Sequence, residues 1–179
     1  MSIYLPSDDS FLLSEILKKE ILKLADEKTN IKTLEIGCGS GIQLKTLKEA
    51  GLKKENIFSC DINSEAVKHC KTLGFSSVKS DLFKNIKEKF DLIVFNPPYL
   101  PEDKREPRDS RVATTGGKKG SEIINKFLQQ AKKHLTKDGK IILLTSSLTK
   151  GIKWNNYKKK LLGKKKLFFE ELKVWELRK

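Results

Sequence analysis

The stretch I-K-T-L-E-I-G-C-G-S-G, residues 31–41, decides the fold of this chain. Its first six residues form a short strand-like run, and three glycines follow within five positions. Apolar residues then recur at helical spacing up to Ala50, and Gly51 comes next, which is typical of a helix that ends at glycine. The stretch therefore predicts a strand, a tight turn and a helix.

Strands and helices alternate along most of the chain. Further strands are predicted at residues 57–60, 75–80, 90–95 and 140–145. Helices are predicted at 10–25, 64–73 and 123–135, and the chain is predicted to close with a final helix and two strand-like runs at 166–169 and 172–177. This alternation is typical of right-handed crossovers, so we expect an α/β fold with a doubly wound, mainly parallel sheet.

The length of 179 residues fits one domain, which we expect to span 1–179. Residues 96–121 show almost no apolar periodicity, so the sequence predicts a long loop there, of the kind that is usually functional. No apolar run approaches the roughly 20 residues of a membrane span. The N-terminus reaches Asp8 and Asp9 without the cationic start of a secretory signal, so we expect a cytoplasmic protein.

The net charge of +14 would attract a polyanion such as RNA. Only four of the 37 cationic side chains are arginine, however, and nucleic-acid recognition relies on arginine for its planar, forked donors. The lysine runs at 158–160 and 164–166 are equally typical of solvated helix faces. Charge alone therefore assigns no partner. Cys38, Cys60 and Cys70 form no C-x-x-C pair, so we expect no metal site.

Three acidic residues lie at the carboxyl ends of predicted strands: Glu35, Asp61 and Asp81. The carboxyl ends of parallel strands meet at one edge of a sheet, where ligands of such folds bind. The turn at Gly37, Gly39 and Gly41 lacks the third glycine of a dinucleotide fingerprint, because residue 42 is Ile, and it lacks the Lys of a P-loop. An acidic rim repels phosphates and favours a cation with ribose and amino donors, which fits S-adenosyl-L-methionine. The alternative is that these acids merely cap helices.

The segment Asn96-Pro97-Pro98-Tyr99 directly follows the strand with the strongest buried pattern. Its prolines could simply end that strand. A planar NH2 group, whose lone pair is delocalised, must be oriented before it can attack a methyl group. The Asn96 side-chain oxygen and the Pro97 carbonyl can accept its two hydrogens, and Tyr99 can stack on the flat acceptor. The sequence thus predicts an N-methyltransferase site.

Four segments carry a resemblance to a known family: P-S-D-D-S-F-L-L at 6–13, E-I-G-C-G-S-G at 35–41, N-P-P-Y at 96–99 and A-T-T-G-G-K-K-G at 113–120. Together they resemble the HemK-type class I methyltransferases and cover nearly the whole chain. The resemblance implies a Rossmann-like, seven-stranded sheet, an N-terminal helical segment at 1–30 that closes over the cofactor, and a substrate-side loop at 100–120. N-P-P-Y alone is shared with adenine amino-methyltransferases, so an RNA or DNA adenine remains the alternative acceptor.

Only 33 residues precede Leu34, so the chain resembles the short archaeal and eukaryotic branch of this family. That branch methylates the glutamine of the Gly-Gly-Gln motif in a class I translation release factor. It works as a heterodimer with a small zinc-binding activator protein, and the resemblance implies such a partner here. The weak strand around 75–78 could be an exposed sheet edge that invites pairing. A catalytically silent scaffold or RNA-binding module is the third hypothesis.

The resemblance also assigns the site residues by position. The catalytic residues are Asn96, Pro97, Pro98 and Tyr99. The cofactor-binding residues are Ser10, Glu35, Gly37, Gly39, Gly41, Asp61, Asp81, Leu82 and Asn96. Asp61 is expected to take the ribose hydroxyls, Asp81 the adenine amino group with Leu82 beside it, and Ser10 to close over the cofactor, although its hydroxyl could instead cap a helix. The charged stretch at 102–111 departs from the family pattern.

Overall fold

The computed structural model describes residues 3–24, 30–103, 105 and 113–179. The helices are α1 (Asp8–Leu22), α2 (Ile42–Glu49), α3 (Ser64–Thr72) and α4 (Glu122–Ala131), with short 3-10 turns at Lys54–Asn56 and Lys132–His134. The strands are β1 (Thr33–Ile36), β2 (Ile57–Asp61), β3 (Ser76–Lys79), β4 (Phe90–Phe95), β5 (Leu100–Pro101), β6 (Thr115–Gly117), β7 (Leu135–Ser146), β8 (Lys158–Lys166) and β9 (Glu171–Arg178).

Seven strands form one sheet in the order β3-β2-β1-β4-β7-β9-β8. The first five are parallel, and β9 runs antiparallel to both β7 and β8. The short strands β5 and β6 pair separately. The predicted doubly wound, seven-stranded architecture is confirmed. The edge position predicted for the weak strand at 75–78 is also confirmed, because β3 ends the sheet.

The central strand β4 contributes side chains to two cores, one on each face of the sheet. Leu92 and Val94 pack with the helices α1, α2 and α3, while Ile93 and Phe95 pack with α4 on the opposite face. All four side chains are at most 2% exposed. This explains why F-D-L-I-V-F is apolar at every position except Asp91, since a parallel strand covered on both faces has no solvent side.

The end of the chain differs from its prediction. The predicted final helix is absent from the described residues after β7, and the two lysine runs lie on the strand β8 instead of a solvated helix face. Pairing with β9 along eight registered positions overrides the helical propensity of lysine. The strand-like run at 166–169 is likewise a turn beyond Lys166. Lysines on an outer strand discourage pairing with other chains, which gives this charge a structural role.

Smaller differences concern element ends. Helix α1 begins at Asp8, earlier than predicted, and residue 25 lies outside the described residues. The strand predicted at 140–145 is the inner part of β7, which starts at Leu135 and contains an irregularity in its pairing with β4. The loop predicted at 96–121 contains β5 and β6, and residues 104 and 106–112 of it are not described. Among the helices of the described chain, none has the length and apolar character needed to cross a membrane.

Candidate active site

A cavity of about 400 Å³ lies at the carboxyl ends of β1, β2 and β4, under the start of α1. Its wall brings together most of the residues that the sequence predicts for the site. Those that line it are Ser10, Glu35, Gly37, Gly39, Asp61, Asp81, Leu82, Asn96, Pro97 and Pro98.

Two predicted residues lie elsewhere. Gly41 does not line this cavity. It precedes α2 with φ +74° and packs towards α3, where an added Cβ would meet Leu73 at 3.0 Å. Tyr99 lines a smaller cavity of about 60 Å³ next to the first, together with Tyr4 and Asp9. Gly41 thus lies on the side of the turn that faces away from the cavity. Tyr99 lies where an acceptor could approach.

Glu35, at the end of β1, is a buried carboxylate on the cavity wall. It is 3% exposed, and its Oε2 has no hydrogen-bond partner among the described residues. Burial, followed by the charges of Cys38 and Asp61, raises the pKa of the Glu35 carboxyl well above its ordinary value. A buried acceptor without a donor is costly, so this oxygen is suited to a ligand that brings a donor or a positive charge.

Asp61, at the end of β2, is held in place by backbone amides. Its Oδ2 accepts from Gly39 N at 3.0 Å and its Oδ1 from Asn63 N at 2.8 Å. Each carboxylate oxygen keeps capacity for a further donor, because a carboxylate has about four acceptor sites. The orientation of Asp61 therefore depends on the glycine turn, which links the motif at 37–41 to the acid on the next strand.

Asp81 lies half-exposed on the cavity rim beside Lys126 of α4. Lys126 Nζ donates to Asp81 Oδ2 at 2.7 Å. Leu82 follows with φ +50°, and its carbonyl accepts from Ser80 Oγ at 2.7 Å, so the turn that presents Asp81 is itself hydrogen-bonded. Sequence reasoning missed Lys126, because it lies 45 positions from Asp81 on a helix whose apolar stripe gives no sign of the contact.

Asn96 sits at the end of β4 with its amide fixed. Its Nδ2 donates to Asp9 Oδ2 at 3.1 Å, while its buried Oδ1 has no partner among the described residues. The reverse orientation would bring the amide oxygen against a carboxylate oxygen, which repels it. Asp9 therefore sets the direction of the Asn96 amide and leaves its oxygen free to accept a hydrogen bond.

Asp9 is the main functional residue that the sequence did not reveal. It is 5% exposed and also accepts from Ser10 N at 2.6 Å and Tyr4 Oη at 3.1 Å. Burial, followed by the charge of Asp9 and its hydrogen bond, raises the pKa of Tyr4, which keeps the phenol a donor. In the sequence Asp9 stands out only as an acidic residue close to the N-terminus. The nearby Ser10, predicted to close over the cofactor, lines the cavity and donates its hydroxyl to Asp9 at 3.2 Å.

The glycine-rich segment at 113–120 packs against the catalytic loop. Leu100 of β5 is in register with Thr115 of β6. A Cβ on Gly116 would meet the Pro98 carbonyl at 2.6 Å, and one on Gly120 would meet the Tyr99 carbonyl at 2.2 Å. A residue with a side chain would not fit at either position. These two glycines therefore allow the backbone of 113–120 to pack directly against the backbone of the catalytic loop.

The residues present fit a sulfonium nucleoside. Two buried acceptors, Glu35 Oε2 and Asn96 Oδ1, lack donors within the described chain, and Asp61 and Asp81 add negative charge to the same wall. Such a wall repels phosphates and accepts ammonium, hydroxyl and amino donors. The fold and this rim define the class of Rossmann-like methyltransferases. The chain belongs to the methyltransferase small domain family, whose model matches residues 10–166.

Relatives agree with this assignment. The chain is 40% identical to a protein of Methanocaldococcus jannaschii named putative protein N5-glutamine methyltransferase, over 98% of this chain and 92% of the relative. It is 33% identical to the eRF1 methyltransferase catalytic subunit mtq2 of Schizosaccharomyces pombe, over 76% and 69% of the two chains. Other relatives are named HEMK2, so the predicted resemblance to HemK-type methyltransferases is confirmed.

The fold is shared with a solved structure of the E. cuniculi Mtq2–Trm112 complex, described as responsible for methylation of the eRF1 translation termination factor. The TM-score is 0.76 at 24% identity, and the match covers 100% of this chain and 99% of that chain. At this identity the likeness establishes the architecture.

Proposed function

We propose that this protein transfers the methyl group of S-adenosyl-L-methionine to the side-chain amide nitrogen of the glutamine in the Gly-Gly-Gln motif of a class I translation release factor. The observation that carries the proposal is the Asn96 amide, whose oxygen is free while its nitrogen is held by Asp9 at 3.1 Å. The names of the relatives support the acceptor, because they include glutamine and eRF1 methyltransferases.

Bound S-adenosyl-L-methionine supplies an electrophilic methyl group on a sulfonium. Glu35, Asp61 and Asp81 would hold its ammonium, ribose hydroxyls and adenine amino group. Asn96 Oδ1 and the Pro97 carbonyl would accept the two hydrogens of the glutamine NH2, so that the nitrogen is held for in-line attack. With its methyl group taken up from the sulfonium, this nitrogen would carry one hydrogen too many and would release it as a proton to water.

Asp9 acts as a positioning residue in this scheme. Its carboxylate keeps the oxygen of Asn96 turned away from it, towards the acceptor. It also places negative charge one hydrogen bond away from Asn96, where it favours the positive charge that develops on the attacking nitrogen. The smaller cavity between Tyr4 and Tyr99 is the proposed entrance for the acceptor side chain.

The partner is proposed to be a small zinc-binding activator that pairs with β3. The two outer strands of the sheet, β3 and β8, differ in their exposed residues, and the difference favours β3 as the edge that binds the activator. Strand β8 carries six lysines, whereas β3 is short and exposes Val78 by 44%. An apolar residue on an outer strand favours addition of a strand from another chain. Since translation factors are the proposed substrate, we also propose a cytoplasmic location.

The test is mass spectrometry of a recombinant release factor after incubation with the enzyme, its activator and methyl-labelled S-adenosyl-L-methionine. The proposal predicts one added methyl group on the glutamine of Gly-Gly-Gln. A release factor with that glutamine replaced by asparagine serves as the control and should stay unlabelled. Label on bare RNA or DNA adenine, with none on the release factor, would instead support the adenine amino-methyltransferase alternative.

A further inference from the structure

The turn between β8 and β9, residues 167–170, presents two phenylalanines to solvent. Phe168 is 104% exposed and Phe169 is 82% exposed, the highest values among the large apolar side chains of the described residues. The turn is closed by a hydrogen bond from Leu167 N to Glu170 O at 2.7 Å, and Leu167 packs against the core. The backbone is therefore anchored while both aromatic rings project outward. Adjacent exposed apolar residues of this size typically mark an interaction site.

The topology places this turn at the active-site edge of the sheet. Strand β9 begins beside the carboxyl end of β7, where Leu172 is in register with Ser146. Strand β7 is parallel to β4, and the carboxyl end of β4 carries Asn96. The turn before β9 thus lies at the same edge as the catalytic loop.

Side-chain contacts bring the turn close to the proposed acceptor entrance. Lys165 Nζ donates to Asp8 Oδ1 at 2.7 Å, and the neighbouring Asp9 contacts Asn96. Burial is the main cause that raises the pKa of Tyr4 and of Tyr99, which line the smaller cavity, and the charge of Glu170 adds to it in both. Leu5, which follows Tyr4 in the chain, is a further exposed apolar side chain, at 77%.

The charges around the turn favour a protein over a nucleic acid. Lys164 and Lys173 contact Glu171 at 3.5 and 2.9 Å, and Lys165 contacts Asp8. Much of the lysine charge beside the phenylalanines is thus neutralised within this chain, whereas phosphate binding depends on cations that can release counterions. The two exposed phenylalanines therefore stand among largely paired charges.

We propose that Phe168 and Phe169, together with Leu5, form a docking surface for the folded protein substrate beside the acceptor pocket. The inference rests on the proposed function and deepens it, because the acceptor pocket can enclose only the glutamine side chain. A folded release factor carries further surface around its glutamine, and aromatic side chains at the centre of a contact typically supply most of its binding energy.

The test compares Phe168→Ser/Phe169→Ser with the wild-type chain in steady-state methylation of an intact release factor, with the activator present. The double variant is expected to raise KM for the release factor at least about tenfold, which is about 1.4 kcal/mol, while kcat and the Kd for S-adenosyl-L-methionine stay within about twofold. Leu22→Ser is the matched control, because Leu22 is 57% exposed at the other end of α1. This variant should behave as the wild type.

Three results would overturn the docking surface. They are an unchanged KM in the double variant, an equal rise in KM for Leu22→Ser, and loss of RNA binding in a filter assay without any change in KM. Equal thermal unfolding temperatures of the variants establish that they fold. Failure of the wild-type chain to methylate the release factor at all would instead refute the proposed function, so the two failures are distinguishable.

Discussion

The carboxylate of Asp9 and the amide nitrogen of Asn96 are 3.1 Å apart, although 87 positions separate them in the chain. This contact joins the start of α1 to the end of β4. It couples the segment that covers the cavity to the residue that would hold the acceptor, so that the N-terminal helix and the catalytic loop form one unit.

Replacing Asp9 by Asn should therefore impair catalysis more than cofactor binding. The new amide can turn its NH2 group towards Asn96. The Asn96 side chain would then rotate its oxygen towards residue 9, and that oxygen could no longer accept a hydrogen bond from the glutamine NH2. A hydrogen bond to a charged group contributes about 1.5–3 kcal/mol, so we expect kcat to fall roughly 10- to 100-fold. The Kd for S-adenosyl-L-methionine, measured by calorimetry, should stay within about threefold, because Asp9 makes no proposed contact with the cofactor. Tyr4→Phe, which removes a donor to Asp9 but leaves Asn96 in contact, is the control and should retain kcat within a few-fold. A normal kcat in Asp9→Asn would refute the positioning role.

Glu35→Gln should weaken the binding of the cationic cofactor and stabilise the free protein. The pKa of Glu35 is raised in the folded state, chiefly by burial. The unfolded state therefore loses its proton first, and the folded protein loses stability as the pH rises above the unfolded value of about 4.3. Glutamine removes that cost at neutral pH. We expect a higher unfolding temperature together with a roughly tenfold higher Kd for S-adenosyl-L-methionine, because an ion pair or charge-assisted hydrogen bond is lost.

The pH dependence gives a second check on Glu35. In the wild type, cofactor binding should tighten as the pH rises through the Glu35 pKa, because the carboxylate gains its charge. The glutamine variant should lack this dependence. A wild-type Kd that is flat between pH 5 and 9, together with unchanged stability of the variant, would speak against a buried carboxylate at the cofactor.

Lys126→Met should weaken cofactor binding only slightly. Lys126 holds one oxygen of Asp81 and leaves the other for the adenine amino group, but both side chains are about half exposed. Exposed pairs contribute about 0.2–1 kcal/mol, so we expect the Kd to rise no more than about fivefold. S-adenosylhomocysteine binding by calorimetry measures this effect without turnover. Tighter binding in the variant would mean that Lys126 competes with adenine for Asp81.

A buried ion network at the far end of the sheet should stabilise the fold in a pH-dependent way. Lys140 Nζ contacts Glu176 Oε2 at 3.0 Å, and Arg178 Nε contacts Glu176 Oε1 at 2.8 Å. Although burial acts to raise it, the pKa of Glu176 is lowered overall, because hydrogen bonds from Arg178 and Lys140 outweigh that effect. The stabilisation is present above the unfolded pKa and is lost as the pH falls through the lower folded value.

Glu176→Gln should accordingly lower the free energy of unfolding by about 3 kcal/mol at pH 7, since the buried Lys140 then keeps only the longer contact to Glu20 Oε2 at 3.8 Å. The loss should shrink towards pH 3. Glu15→Gln is the matched control, because Glu15 pairs with Lys19 on the exposed face of α1, where solvent screens the pair, and its loss should be much smaller than that of Glu176→Gln. Urea unfolding of both variants at pH 7 and pH 3 measures these losses of unfolding free energy. Equal losses for the two variants would contradict a special role for the buried network.

The sequence predicted those site residues whose position follows from local pattern. Glu35 and Asp61 lie at the carboxyl ends of their strands and Asn96 directly follows one, and parallel strands place their carboxyl ends together. Asp9 and Lys126 were missed because their roles arise from contacts between distant segments, and nothing in the local pattern marks them. Gly41 was expected on the cavity wall, yet the turn directs it towards α3.

The end of the chain was mispredicted for a different reason. Lysine favours helices in isolation, but the run at 158–166 pairs with β9, whose buried Leu172, Val174 and Leu177 need a neighbouring strand. Pairing of β8 with β9 therefore outweighs the helical propensity of the lysine runs. The same pairing creates the turn with Phe168 and Phe169, which no periodicity in the sequence indicates.

The central claim is that Asn96 holds the NH2 group of the acceptor glutamine. Its most direct test is labelled-methyl transfer to the release factor by Asn96→Ala, with cofactor binding measured on the same preparation. The account predicts that transfer is lost while the Kd for S-adenosyl-L-methionine stays within a few-fold of the wild-type value. Undiminished transfer, or a parallel loss of transfer and cofactor binding, would contradict it.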